Sequence, residues 1–104
     1  MKIQVNTDKN IPGGERLTTF LSTLISDDLS RFSDRITRVE VHLSDVNGRK
    51  EGDDDKRCLM EARLEGLQPI VVTSHANKHE VAVSTALDKL VAKIDSKLGR
   101  LGKR

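Results

Sequence analysis

Apolar and polar positions alternate or recur in blocks along this chain, and each block carries one period. Ile3 and Val5 alternate with Lys2, Gln4 and Asn6, which predicts a short first strand with one buried face. Pro12, Gly13 and Gly14 break the chain. Leu17, Phe20, Leu21, Leu24, Ile25, Leu29 and Phe32 then recur at steps of three and four, which predicts one long amphipathic helix closed by Ser33 and Asp34. A period of two returns with Val39, Val41 and Leu43 between Arg38, Glu40, His42 and Ser44, a second strand. Asp45 to Asp55 reads as a polar loop with Asn47-Gly48 and Gly52 as turn residues. Cys58, Met60, Ala62 and Leu64 mark a third strand, and Gly66 to Pro69 connects it to a fourth around Ile70-Val71-Val72-Thr73. Asn77, with Glu80 three residues on, has the spacing of a capping box opening a second helix. The stripe of that helix is Val83, Leu87, Leu90, Ile94 and Leu98, flanked by Ala86 and Val91, with Gly99 or Gly102 at its end.

The predicted order is β-α-β-β-β-α. A helix of that length is a crossover, so the first two strands should be parallel neighbours; the short later connections make the remaining pairings antiparallel. Each strand has one apolar face, so both helices should cover the same side of a four-stranded sheet. The fold class expected is therefore α+β, a two-layer sandwich, with residues 1–104 forming a single domain of ordinary size.

Composition narrows the chemistry. Aromatic residues make up 2% of the chain, Phe20 and Phe32 with no Tyr or Trp. Binding that depends on stacking bases on aromatic rings is therefore poorly provided for, and any nucleic-acid contact should run through phosphates and shape. The single cysteine, Cys58, rules out an internal disulfide and fits a reducing, cytoplasmic setting. The first residues lack the apolar run of a signal peptide, and no segment has the roughly 20 apolar residues that span a bilayer. His75 and His79 straddle the start of the second helix without a third ligand, so no metal is expected. The Asp45-Val46-Asn47-Gly48 segment departs from calcium-loop spacing at Arg49. Cys58 falls on an apolar strand face, a core position more than a nucleophile's. No nucleophile elbow or glycine-rich phosphate loop occurs, so no catalytic residue, cofactor or small-molecule substrate is expected.

The net charge of +2 decides nothing, but its distribution does. In the first helix Asp27 and Asp28 stand four and three residues before Arg31, which stands three before Asp34, so that helix should neutralise itself. In the second, Lys89, Lys93 and Lys97 follow one another at i, i+4, and Arg100 and Arg104 continue the row if the helix persists. No acidic residue lies three or four positions from any of the three lysines; Asp88 and Asp95 fall on the opposite flank. From His75 to the end, seven Lys and Arg face three Asp and Glu, a net +4; from Asp45 to Asp55, two face five, a net −3. A row of cations costs the helix a few tenths of a kcal/mol per like-charged pair. Solubility or the helix dipole would account for it; so would an anionic partner, the reading favoured by spacing and asymmetry together.

Two segments also carry a family resemblance. Arg38-Val39-Glu40-Val41-His42-Leu43-Ser44-Asp45 resembles the second strand of the ribosome hibernation-promoting factors, or ribosome-associated inhibitors, of the sigma-54 modulation protein family, and Ala86-Leu87-Asp88-Lys89-Leu90 resembles their second helix. The resemblance implies a fold similar to double-stranded-RNA-binding domains, and binding to 16S ribosomal RNA of the small subunit between head and body. There it would stop translation by occupying the messenger and transfer RNA channel. Lys89 matches a basic position of that family's second helix, with Lys93 and Lys97 on the same flank and Lys78 and Arg100 as helpers. Ala92 stands where members commonly carry a basic residue, the aromatic residue frequent near the start of their second helix is missing, and the acidic loop is longer than in short members. With no second domain after Arg104, the ribosome pairing of the long forms is not expected from this chain alone. The alternative is a protein-interaction module on the same fold, without the ribosome.

Overall fold

The computed structural model describes residues 1–8, 14–45 and 56–102. The turn residues Asn47, Gly48 and Gly52, the acidic run Asp53 to Asp55, and Arg104 lie outside the described residues. Elements follow the expected order: β1 (Lys2–Thr7), α1 (Gly14–Asp28), a one-turn 3-10 helix (Ser30–Phe32), β2 (Ile36–Asp45), β3 (Lys56–Leu64), β4 (Ile70–Ala76) and α2 (His79–Gly102). The sheet order is β1-β2-β3-β4, with β1 parallel to β2 and the other pairs antiparallel. Val5 stands opposite Val41, Val41 opposite Met60, and Met60 opposite Val72, so one apolar row crosses all four strands.

That row and its neighbours form the floor of the core. Val39, Val41, Leu43, Cys58, Met60, Ala62, Leu64, Ile70 and Val72 are buried on it. Leu21 and Ile25 of α1 close over it with Leu29 and Phe32 beyond, and so do Ala82, Val83, Ala86, Leu87, Leu90 and Ile94 of α2. α1 lies over β1, and α2 over β3 and β4. The opposite sheet face is polar and laced by side-chain pairs: Arg38 to Gln4 and Glu40, and Arg63 to Glu61.

Several local expectations need correction. The first helix does not run unbroken to Phe32. It ends at Asp28, and the N–H of Phe32 donates to the Leu29 carbonyl at 2.9 Å. A tighter 3-10 turn puts residues three apart over one another, so Leu29 and Phe32 both point into the core. Phe20 is 54% exposed. It sits a full residue step, about 100°, from Leu21 at the rim of a stripe narrower than the spacing suggested. At α2 the Lys78 carbonyl accepts from the Ala82 N–H at 3.0 Å, so the N-cap is Lys78, one residue after the Asn77 of the expected capping box. Of the two glycines expected at the end of α2, Gly99 lies within the helix and Gly102 is its last residue.

β4 extends three residues past Thr73 because Ser74 can be buried: its hydroxyl donates to the Ala82 carbonyl, fastening the strand to the first turn of α2. At the other end of the sheet, β2 carries a register irregularity between Ile36 and Arg38. There the Thr37 hydroxyl donates to the Arg63 carbonyl at 3.0 Å. The hairpin of β2 and β3 is closed by Lys56 on Asp45 at 2.9 Å, the Asp45 side chain being only 7% exposed.

Leu90 is fully buried where α2 meets the sheet, so Leu90→Ala should cost about 2–5 kcal/mol in urea unfolding, whereas Phe20→Ser should stay within about 0.5 kcal/mol of the parent. Burial pushes the Cys58 thiol from 9.0 up to about 12, with Arg57 opposing weakly. The unfolded chain releases that proton first. Stability should therefore be unaffected by Cys58 below about pH 9 and fall between about pH 9 and 12, with a slope up to about 1.4 kcal/mol per pH unit. Chemical denaturation across that range, with Cys58→Ala as reference, checks it.

Candidate nucleic-acid interface

α2 is seated by its apolar stripe, and that seating fixes where its other faces point. Leu87, Leu90 and Ile94 face down, so the flank of Lys89 and Lys93 hangs over the free edge of β4. The Lys89 Nζ donates to the Thr73 carbonyl at 2.9 Å, and the Lys93 Nζ to the Val71 carbonyl at 3.4 Å. Helix numbers rise as strand numbers fall, so the two elements run antiparallel. Four helical residues advance about 6 Å and two strand residues about 6.7 Å, which is why one lysine per turn meets every second carbonyl.

A groove runs between the strand edge and the helix. Val71, Val72, Thr73, Lys89, Ala92 and Lys93 line one part, and Ile70, Lys93, Ser96, Lys97 and Arg100 line the next. The structure therefore brings together four of the five predicted site residues, Lys89, Lys93, Lys97 and Arg100. Arg100 holds its Nε 3.4 Å from the Ser96 carbonyl of its own helix. Lys78 is exposed at the N-cap, roughly 16 Å along the axis from Lys89, and does not line the groove.

Electrostatically the groove is one-sided. Among the described residues no carboxylate pairs with Lys89, Lys93, Lys97 or Arg100. Asp95 instead accepts from Arg31 at 2.5 Å, across from the 3-10 turn, while the Arg31 guanidinium lies 4.5 Å from the Phe32 ring centroid. The expectation that Arg31 is neutralised by Asp27, Asp28 and Asp34 within its own helix is thus corrected. The 3-10 turn after Leu29 breaks the i, i+4 geometry and carries Arg31 over to α2. A carbonyl partner orients an ammonium without cancelling its charge, so the groove keeps four cations along one line. The spacing pointed to this flank; that it would overlie a strand edge was readable only from the antiparallel order, which makes the uncharged β4 an outer strand.

The remaining candidates do not converge. His75 is exposed on β4 and His79 is half-buried at the start of α2. Among the described residues no three His, Cys, Asp or Glu side chains gather as a metal set. No helix of the described residues is long and apolar enough to cross a membrane. The sequence reading missed the surface around Phe20, where Glu15, Arg16, Thr19 and Phe20 form a shallow depression on α1.

Solved structures share this fold. The N-terminal domain of Protein Y from Thermus thermophilus superimposes with a TM-score of 0.72 at 18% identity, over 92% of this chain and 98% of that one. A ribosomal subunit interface protein from Coxiella burnetii gives 0.67 at 15% identity over 100% of both chains. No curated protein matches. Residues 4–104 match the family described as Sigma 54 modulation protein / S30EA ribosomal protein, and since that span takes in both helices, β2 to β4 and most of β1, the chain belongs to this family.

Proposed function

We propose that the chain is a ribosome-associated factor that binds 16S ribosomal RNA of the small subunit and inhibits translation by occupying the messenger and transfer RNA channel during stress or stationary phase. The observation that carries this reading is the line of Lys89, Lys93, Lys97 and Arg100 along one groove, with no carboxylate of the described residues to neutralise it. Membership of a family whose description includes a ribosomal protein, and likeness to a ribosomal subunit interface protein, point to the same partner.

The chemistry required is occupancy, not bond-making. One lysine per helical turn gives the row a repeat of about 6 Å along the axis, so each ammonium group would meet its own phosphate. Each contact releases condensed counterions, so affinity should depend steeply on salt. Lys78 would touch a phosphate beyond the groove, at the far end of α2. A cytoplasmic location goes with such a partner.

A second reading, a protein-interaction module on the same fold, draws on the exposed Phe20 ring beside Arg16 and Thr19. It places the contact on α1 and makes it apolar, hence weakly salt-dependent.

Four or five phosphate contacts to non-duplex RNA predict a log–log salt slope of about −3 for binding to the purified small subunit. Lys89→Glu/Lys93→Glu/Lys97→Glu should abolish co-sedimentation with that subunit while leaving the circular dichroism spectrum unchanged. Unchanged co-sedimentation of the triple variant removes the RNA reading. Loss of binding by Phe20→Ala with a flat salt profile installs the second reading in its place.

A further inference from the structure

β4 carries the most strand-prone run in the chain. Ile70-Val71-Val72-Thr73-Ser74 is uncharged, free of Pro and Gly, and lies on an outer strand of the sheet. An open edge of that composition is a template for another strand. In an antiparallel ladder the N–H and C=O of one residue point to the same side. The carbonyls of Val71 and Thr73 face Lys93 and Lys89, so the N–H groups of these two residues face the open side as well. A further strand would bond at these positions, and the ammonium groups already stand in them.

We propose that Lys89 and Lys93 are gatekeepers of this edge: they hold the hydrogen-bonding positions that β4 of a second copy would take, and so keep the chain from pairing edge to edge with itself. The second copy is the fitting occupant because the run is self-complementary. Antiparallel pairing about Val72 sets Val71 against Thr73 twice, with Val71 44% exposed and ready to stack across the new ladder. No charge within Ile70 to Ser74 opposes that pairing. The lysines oppose it in two ways. They cap the carbonyls, and in such a dimer the two rows of ammonium groups would confront each other across the ladder. The proposal stands apart from RNA binding, because self-association is measured with no RNA present.

Light scattering coupled to size exclusion, over a series of protein concentrations, tests it. The Lys89→Ala/Lys93→Ala chain should show a mass rising with concentration toward twice that of the single chain. The Lys97→Ala/Arg100→Ala chain loses the same two charges but neither edge-carbonyl donor, and should keep the single-chain mass. Lys89→Arg/Lys93→Arg, which keeps both donors, should do the same. Adding Thr73→Pro to the first variant should restore the single-chain mass. The Thr73 N–H faces away from β3, so the ladder loses no bond, while the proline ring obstructs a new strand. A Lys89→Ala/Lys93→Ala chain that keeps the single-chain mass throughout overturns the proposal. A dimer that persists with Thr73→Pro, or forms equally in the Lys97→Ala/Arg100→Ala chain, also overturns it.

Discussion

The seat of α2 on β3 and β4 governs everything else in this molecule. Val83, Leu87, Leu90 and Ile94 can be buried only in one rotation of the helix about its axis, and each such side chain contributes on the order of 1.5–3 kcal/mol when removed from water. Rotating the helix by one residue step would lift that stripe into solvent. The charges are worth far less individually, since exposed polar contacts contribute about 0–1 kcal/mol. Packing therefore decides where the lysines go, and the lysines adapt. Their long stems reach sideways over apolar strand residues while the ammonium groups stay at the surface.

From that seating comes a division of α2 into three faces with different tasks. One is apolar and holds the sheet. A second carries Asp95 and is tied to Arg31, so its negative charge is answered inside the fold. The third bears Lys89, Lys93, Lys97 and Arg100 and meets only backbone carbonyls or solvent among the described residues. A neutral carbonyl dipole falls off faster with distance than a counter-charge would, so the field of the row survives beyond the surface. Physiological salt limits its reach to about 8 Å, which suits contact with a polyanion already in place more than attraction from afar. The carbonyl contacts of Lys89 and Lys93 lie on the outer strand, so one row of side chains borders both the sheet edge and the groove.

Most of the architecture was legible in the sequence because periods of two and of three to four follow directly from strand and helix geometry. Parallel pairing of β1 with β2, and antiparallel pairing thereafter, followed from connection lengths alone. The failures have local causes. Phe20 is apolar but sits at the rim of its stripe, so spacing overstated its burial. Ser74 is polar and marked no strand, because nothing in the sequence announces that its hydroxyl finds the Ala82 carbonyl. Gly99 looked like one possible terminus, yet Ile94 and Leu98 hold the turns before it against the core, and the helix runs on to Gly102, the other end the sequence offered. At the site, the sequence marked which cations share a flank. It did not mark their partners, because a strand edge facing a helix flank is a tertiary relation, and so is the reach of Arg31 to Asp95.

The central claim is that the α2 flank above β4 meets phosphate. Its most direct measurement is lysine reactivity, by amine acylation and mass spectrometry, on the free chain and on the chain bound to the small subunit. Protection of Lys89, Lys93 and Lys97 on binding, with Lys2 and Lys56 unchanged, is the predicted pattern. Equal reactivity of Lys89, Lys93 and Lys97 in the free and bound chain would contradict it.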